Sequence, residues 1–367
     1  MMQVSDSSRP QFHFRPAAGW LNDPNGPLFW RGWYHVFYQH NPFGETWGNI
    51  HWGHARSRDL VRWEHLPIAL APLADRGERH CFSGCAAIAG NGRPVLLYTS
   101  IGRAQPEQWA AVPEDDDLLR WQRVESPVLT MACHGATAIE EWRDPFVFQH
   151  DGDSFLVIGG RLGGQGVVLL YHAEDTSLLR WRYVGVLHGE ELPVSLECPL
   201  FFKLDGQWVL IISIPEHGVE YRVGQFNAPA GRFTVTGRGR VDETNHFYAP
   251  NTLRTTDGRR VLIGWVRGFP RGQGWNGCFS WPRELRVGAD GLLRQYPLRE
   301  WQTLRSKPAA TGQFVRRQAN GEWLFCDRSL RETFAADGRW CRTQIDPSSV
   351  APETGGENFA LASIWPE

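Results

Sequence analysis

Short apolar runs, each broken by a glycine-bearing pair, organise this chain. Phe146-Val147-Phe148 precedes Asp151-Gly152, and Phe155-Leu156-Val157-Ile158 follows it. Similar runs flank Arg31-Gly32, Asn91-Gly92, Asp205-Gly206 and Asp257-Gly258. Asn-Gly and Asp-Gly pairs between such runs favour tight turns, because these residues tolerate positive φ. The five glycines are separated by 60, 60, 54 and 52 residues. A second marker keeps this period: Asp59-Leu60-Val61-Arg62-Trp63, Asp117-Leu118-Leu119-Arg120-Trp121 and Ser177-Leu178-Leu179-Arg180-Trp181. Its tryptophans are 58 and 60 residues apart, and Gly231-Arg232-Phe233 echoes it 52 residues later. Long amphipathic helical patterns are absent. Many short strands with regularly spaced turns predict an all-β chain. A period of this length, met five times, fits four-stranded blades, so the spacing predicts a five-bladed β-propeller over residues 12–300. Residues 301–367 carry strand-like patches such as Glu322-Trp323-Leu324-Phe325, and a polar stretch from Pro347 to Asn358. They are expected to form a short C-terminal β-rich segment, an abbreviated or incomplete β-sandwich.

The period also selects residues. Asp23, Ser83 and Glu197 each lie nine residues before a turn glycine, Asp144 eight before and Tyr248 ten before. Equivalent positions of successive blades form a ring around a propeller axis, so these five are expected to converge on one pocket. Three of them are carboxylates, drawn from the 40 in the chain. Asp23 sits in Trp20-Leu21-Asn22-Asp23-Pro24-Asn25-Gly26, where Pro24 and Gly26 suit neither a helix nor a central strand. The segment therefore reads as a turn before the strand-like run Pro27-Leu28-Phe29-Trp30.

Composition narrows the partners. The 367 residues are 42% hydrophobic, enough for a large core, and the formal net charge is -2. Nothing argues for nucleic acid or an anionic membrane. The 18 tryptophans can stack on sugar rings or fill a β core. The seven cysteines are odd in number and contain no C-x-x-C pair, so a disulfide framework is not expected and a reducing compartment is. His51 and His54, three apart in a strand, fall on opposite faces, and no metal site is expected there. Met1 to Phe14 is polar, without the apolar core of a signal peptide, and no 18-residue apolar run occurs. The expectation is a cytoplasmic protein without metal or organic cofactor, its oligomeric state open.

Cleavage of a glycosidic bond needs two carboxyl groups in opposite protonation states, one attacking or activating water and one protonating the leaving oxygen. A pocket with Asp23, Asp144 and Glu197 has one to spare, and crowded like charges raise at least one pKa.

The motifs around these residues resemble glycoside hydrolase family 32, the invertases and fructan hydrolases. Trp20 to Gly26 is similar to its nucleophile motif, with Leu21 where methionine is usual. Arg143-Asp144-Pro145 resembles R-D-P, Glu197-Cys198 the E-C motif, Phe82-Ser83-Gly84 the F-S-G block, and Trp281-Pro282-Arg283-Glu284-Leu285 the P-R-E-L end of the propeller. Trp47-Gly48-Asn49 and Trp52-Gly53-His54-Ala55 resemble another shared block. The resemblance implies that Asp23 attacks the anomeric carbon of a fructosyl unit. It implies that Glu197 is the acid and base, and that Asp144 binds sugar hydroxyls in the transition state. Asn22, Gln39, Trp47, Phe82, Ser83, Arg143, His246 and Tyr248 become substrate-binding candidates, with Arg143 expected to hold Asp144 ionised through a bidentate pair. His246-Phe247-Tyr248-Ala249 departs from the family's D-F-Y-A, which bears on leaving-group choice. Family members usually continue into a C-terminal sandwich of well over 100 residues, whereas 67 follow Glu300 here. The expected activity is retaining hydrolysis of sucrose or a small fructoside. A fructosyltransferase, a related five-bladed arabinanase or xylosidase, and a non-catalytic sugar-binding propeller are the alternatives. Arg267, Arg271 and Arg283 are read either as a site for a phosphorylated glucose or as surface charge.

Overall fold

The computed structural model describes residues 8–305, 313–346 and 357–365. Most of the polar stretch from Pro347 to Asn358 lies outside the described residues, as does the start of the polar N-terminus. Among the described residues the regular elements are strands and three short 3-10 turns. No helix among the described residues is long and apolar enough to cross a membrane.

Five sheets follow one another along the chain, within residues 19–70, 80–123, 139–190, 197–240 and 247–297, and each is built from antiparallel neighbours. Their first strands are Gly19–Trp30, His80–Ile88, Ile139–His150, Glu197–Leu204 and Phe247–Arg254. These five pack side by side in chain order, and the fifth returns to the first. Trp275–Asn276, from within the fifth stretch, adds to the first sheet by pairing parallel with Gly19 and Trp20. That pairing ties the last sheet to the first.

The turn markers work as hairpins in two ways. Arg31-Gly32, Asp151-Gly152 and Asp205-Gly206 have positive φ at both residues, which matches the right-handed strand twist. Asn91-Gly92 and Asp257-Gly258 have it at the glycine alone, whose N–H donates to Ala89 O or Thr255 O. The second marker has a common geometry too. Leu60, Leu118 and Leu178 are buried with φ of 64°, 60° and 63°, and Trp63, Trp121 and Trp181 open the outermost strands that follow. Trp121 and Trp181 each donate an indole N–H to the carbonyl of the leucine three residues back, at 2.9 Å.

Residues 313–360 contribute a sixth, antiparallel sheet of five strands. Its apolar face shares a core with Phe12, Val61, Trp281, Trp301 and Leu304 through Val315, Phe325 and Phe334. Beside it lies a buried ionic cluster. His13 bridges Asp327 and Glu332 at 2.8 and 2.9 Å, while Arg283 reaches Asp242 and Glu332 at 2.8 and 3.0 Å. Arg283 is thus fully buried, neither surface charge nor open to a ligand.

One sequence expectation is corrected. Trp20 to Gly26 is part of a continuous strand, Gly19–Trp30, rather than a turn before one. The strand takes up Pro24 and Gly26 through two register shifts, between Leu21 and Pro24 and between Asn25 and Leu28.

Candidate active site

A register shift recurs on each of the five first strands, and each falls at the residue singled out by spacing. It lies between Leu21 and Pro24, Cys81 and Gly84, Arg143 and Phe146, Glu197 and Leu200, and Tyr248 and Asn251. A bulge leaves an extra residue unpaired and re-aims its side chain. Three bulges carry a non-glycine residue with positive φ, Asp144 at 68°, Cys198 at 46° and Ala249 at 43°. Such backbone costs roughly 1–3 kcal/mol per residue and persists where surrounding structure over-determines it. Here neighbouring sheets do so. Asp144 N–H donates to Thr99 Oγ1, Cys198 N–H to Asp144 Oδ2 and Ala249 N–H to Ser213 Oγ, all within 3.1 Å.

The bulges bring the carboxylates together around Cys198. Its thiol is 3.6 Å from Asp23 Oδ2 and 3.4 Å from Asp144 Oδ2, and its chain neighbour is Glu197. Asp23 accepts from the Ser83 hydroxyl and, at 3.0 Å, from Asn22 Nδ2. Asn22 also donates to Gln39 Oε1 at 2.7 Å, and Gln39 in turn donates to Ser83 Oγ. Burial raises the Asp23 pKa and the charge of Glu197 adds to this, while the Ser83 and Asn22 donors oppose it. Asp144 is pushed up to about 7, by burial first and then by the charges of Asp23 and Glu197, against the pull of Arg143.

Glu197 is held from both sides. Arg143 Nη2 donates to its Oε1 and the Tyr248 hydroxyl to its Oε2, each at 2.7 Å. The other end of Arg143 bonds Glu141 at 2.7 Å. The guanidinium fork therefore serves Glu197 and Glu141, and the bidentate pair with Asp144 expected from sequence does not form. Adjacency in sequence was misleading because the bulge turns the two side chains apart.

A cavity of about 420 Å³ opens over these groups. Every candidate from the sequence lines it except Ser83 and His246. Ser83 is buried beneath Asp23, its hydroxyl committed to Asp23 and Gln39. His246 faces an adjoining cavity, where its Nδ1 bonds Arg267 O at 2.8 Å. Trp47 stands half-exposed at the rim, edge-on to Phe82. Sequence reasoning did not single out Pro215, Glu216 and Trp265, which also line the cavity, and it left Arg267 ambiguous. They lie at the far ends of second strands and on the turns beyond, where no turn-glycine marker counts them off. Arg267 lies over the Tyr248 ring at 4.1 Å. Among the described residues, no three His, Cys, Asp or Glu side chains gather as metal ligands.

Known proteins resemble this chain in sequence and architecture. Residues 13–297 match the sequence profile of the glycosyl hydrolases family 32 N-terminal domain. The cell wall isozyme of beta-fructofuranosidase from Zea mays is 35% identical over 83% of this chain and 58% of its own length. A sucrose-6-phosphate hydrolase from Zymomonas mobilis is 36% identical over 82% of this chain and 64% of its own length. The chain thus spans less than two thirds of these relatives. A beta-fructofuranosidase of Bombyx mori, solved with sucrose in a variant form, superposes with a TM-score of 0.84 at 25% identity, covering 100% of this chain and 96% of that one. With a profile match that takes in all five sheets, the chain belongs to glycosyl hydrolases family 32.

Proposed function

We propose that this chain is a retaining β-fructofuranosidase that cleaves sucrose or a small fructoside by double displacement. In this reading residues 12–300 form a five-bladed β-propeller whose blades are the five sheets, and residues 301–367 form a separate C-terminal β-rich segment. The observation that carries the proposal is the convergence of Asp23, Asp144 and Glu197, from the bulges of the first, third and fourth sheets, onto one cavity. The names of the relatives, an invertase-type enzyme and a sucrose-6-phosphate hydrolase, support the same bond type.

The roles follow from the hydrogen bonds. Asp23 attacks the anomeric carbon. Its hydroxyl and amide donors favour the ionised, nucleophilic form, working against burial, which still raises its pKa. Glu197 protonates the departing oxygen and later takes a proton from water, held in orientation by Arg143 and Tyr248. Asp144 accepts hydrogen bonds from fructosyl hydroxyls. Asn22, Gln39, Trp47, Phe82 and Arg143 shape the surrounding subsite. Ser83 acts from beneath, through Asp23.

Replacing Asp23 by Asn tests the nucleophile. The variant should release fructose from sucrose roughly 1,000-fold more slowly, or worse, with an unchanged fold by circular dichroism. Retention of activity within tenfold would remove Asp23 from the mechanism. Glu197→Ala should spare a fructoside with a good leaving group far more than it spares sucrose, since such a group departs without an acid. Equal losses on both substrates count against the acid role.

A further inference from the structure

A second cavity, of about 720 Å³, adjoins the carboxylate pocket and shares Glu216, Trp265 and Arg267 with it. One wall is the segment linking Arg260–Val266 to Trp275–Asn276, which contributes Gly268, Phe269 and Arg271. Both ends of this segment are anchored. Arg267 N–H donates to His246 O at 2.9 Å, and Gly19 N–H donates to Gly274 O at 2.9 Å. Between them, the backbone N–H groups of Gly272, Gln273 and Gly274 all donate to the Glu45 carboxylate, at 2.5, 2.9 and 2.6 Å.

Successive N–H groups turned toward one point make an anion-binding nest. Positive φ at Gly272 and Gly274, 89° and 77°, turns them that way. Here the anion comes from the chain itself. Glu45 lies on another connection, between Trp33–Asn41 and His51–Ser57, which also carries Trp47 at the rim of the carboxylate pocket. That connection is braced by Asn41, which donates to Thr46 O at 2.9 Å and accepts from Phe43 N–H at 3.0 Å. One half-buried carboxylate thus joins the walls of two adjoining cavities. Hydrogen bonds to an ionised acceptor are the stronger kind, so this tie outweighs an ordinary loop contact.

We propose that Glu45 is a positioning residue. Seated on the Gly272–Gly274 amides, it holds the segment with Arg271 as a wall of the second cavity, and so sets affinity for the part of the substrate beyond the scissile oxygen. This rests on the fructosidase reading. The fructosyl unit occupies the carboxylate pocket, so a glycosyl leaving group extends past Glu216, Trp265 and Arg267 into the second cavity. A methyl leaving group does not reach it.

The test compares wild type with Glu45→Ala and Glu45→Asp on raffinose, sucrose and methyl β-D-fructofuranoside. Glu45→Ala is expected to raise KM about 5- to 10-fold for raffinose and sucrose. Its kcat should stay within about twofold, and its KM for the methyl fructoside should be unchanged. Glu45→Asp keeps an anion for the nest and should recover at least part of the loss. Amide exchange at Gly272, Gln273 and Gly274 should quicken about tenfold or more in Glu45→Ala. Unchanged exchange overturns the positioning role, and so does a KM change that is equal for all three substrates or absent. A wild type that turns over no fructoside overturns the catalytic reading instead, and amide exchange still decides whether Glu45 holds the segment.

Discussion

Asp144 shows how the pocket holds three carboxylates at close quarters. It is 6% exposed and faces both Asp23 and Glu197. Its donors are the Cys198 amide and thiol, because Arg143 is committed elsewhere. The result is a carboxyl group pushed up to about 7. A folded-state pKa above the unfolded value of about 3.9 means that ionisation opposes folding. The group's contribution is most favourable at low pH and is lost as pH rises toward and through 7. Asp144→Asn cannot ionise. It should therefore be more stable than wild type at pH 8, by on the order of 2–4 kcal/mol, while losing the proposed fructosidase activity. The stability gain should shrink toward zero near pH 4. Urea unfolding at pH 4, 6 and 8 checks this, and a difference that does not change with pH removes burial of Asp144 as its cause. Asp144 itself was legible from sequence, as were Asp23 and Glu197, because the bulge recurs at a nearly fixed distance before each turn glycine. Ser83, which donates to Asp23, was picked out by the same spacing. Thr99 and Ser213 were not: they reach the bulges from neighbouring sheets, and no local pattern encodes a contact across that distance.

At the scale of the element, the bulged strand is the unit that turns a repeat into a site. Turn glycines and the Leu-x-x-Trp marker announced the hairpins, since tight turns and left-handed residues restrict which amino acids fit. Two features escaped. A proline and a glycine inside Gly19–Trp30 read as a turn, because a bulge uses the same residues as a turn does. The two-residue strand Trp275–Asn276 is too short to show any alternation. Gly84 tests how tightly a bulge is built. It follows Ser83, its N–H donates to Asn25 Oδ1 at 3.0 Å, and an added Cβ would lie 2.0 Å from the Leu97 carbonyl oxygen. That oxygen belongs to the adjacent strand and cannot rotate away. Gly84→Ala should therefore destabilise the protein by about 1–3 kcal/mol and displace Ser83 from Asp23, lowering kcat as well. Urea midpoints and fructose release measure the two effects. Wild-type stability in the variant would mean that the strand shifts freely and that the bulge is not a rigid mount.

Across the whole molecule, the sixth sheet is joined to the other five by charge as well as by apolar packing. Its Asp327 and Glu332 grip His13 from the N-terminal segment, and Glu332 also meets Arg283 from the fifth sheet. The same sheet contributes Gln344 and Ile345 to the second cavity. Both ring nitrogens of His13 face carboxylates, which requires the doubly protonated imidazolium. Burial lowers its pKa, but the hydrogen bonds and charges of Asp327 and Glu332 outweigh this and raise it to about 9. The folded value lies above the unfolded one of about 6.5, so the stabilisation is fully present below pH 6.5 and is lost as pH rises through 9. The stability difference between wild type and His13→Asn should follow that window. It should be largest at pH 6, on the order of 3–5 kcal/mol because two buried carboxylates lose their partner, and should shrink by about 3 kcal/mol by pH 10. Taking the difference between the two proteins cancels the titration of groups they share. Thermal unfolding of both from pH 6 to pH 10 measures it. A constant gap across that range would mean that His13 is neutral in the folded protein, and that packing rather than charge joins the sixth sheet to the rest.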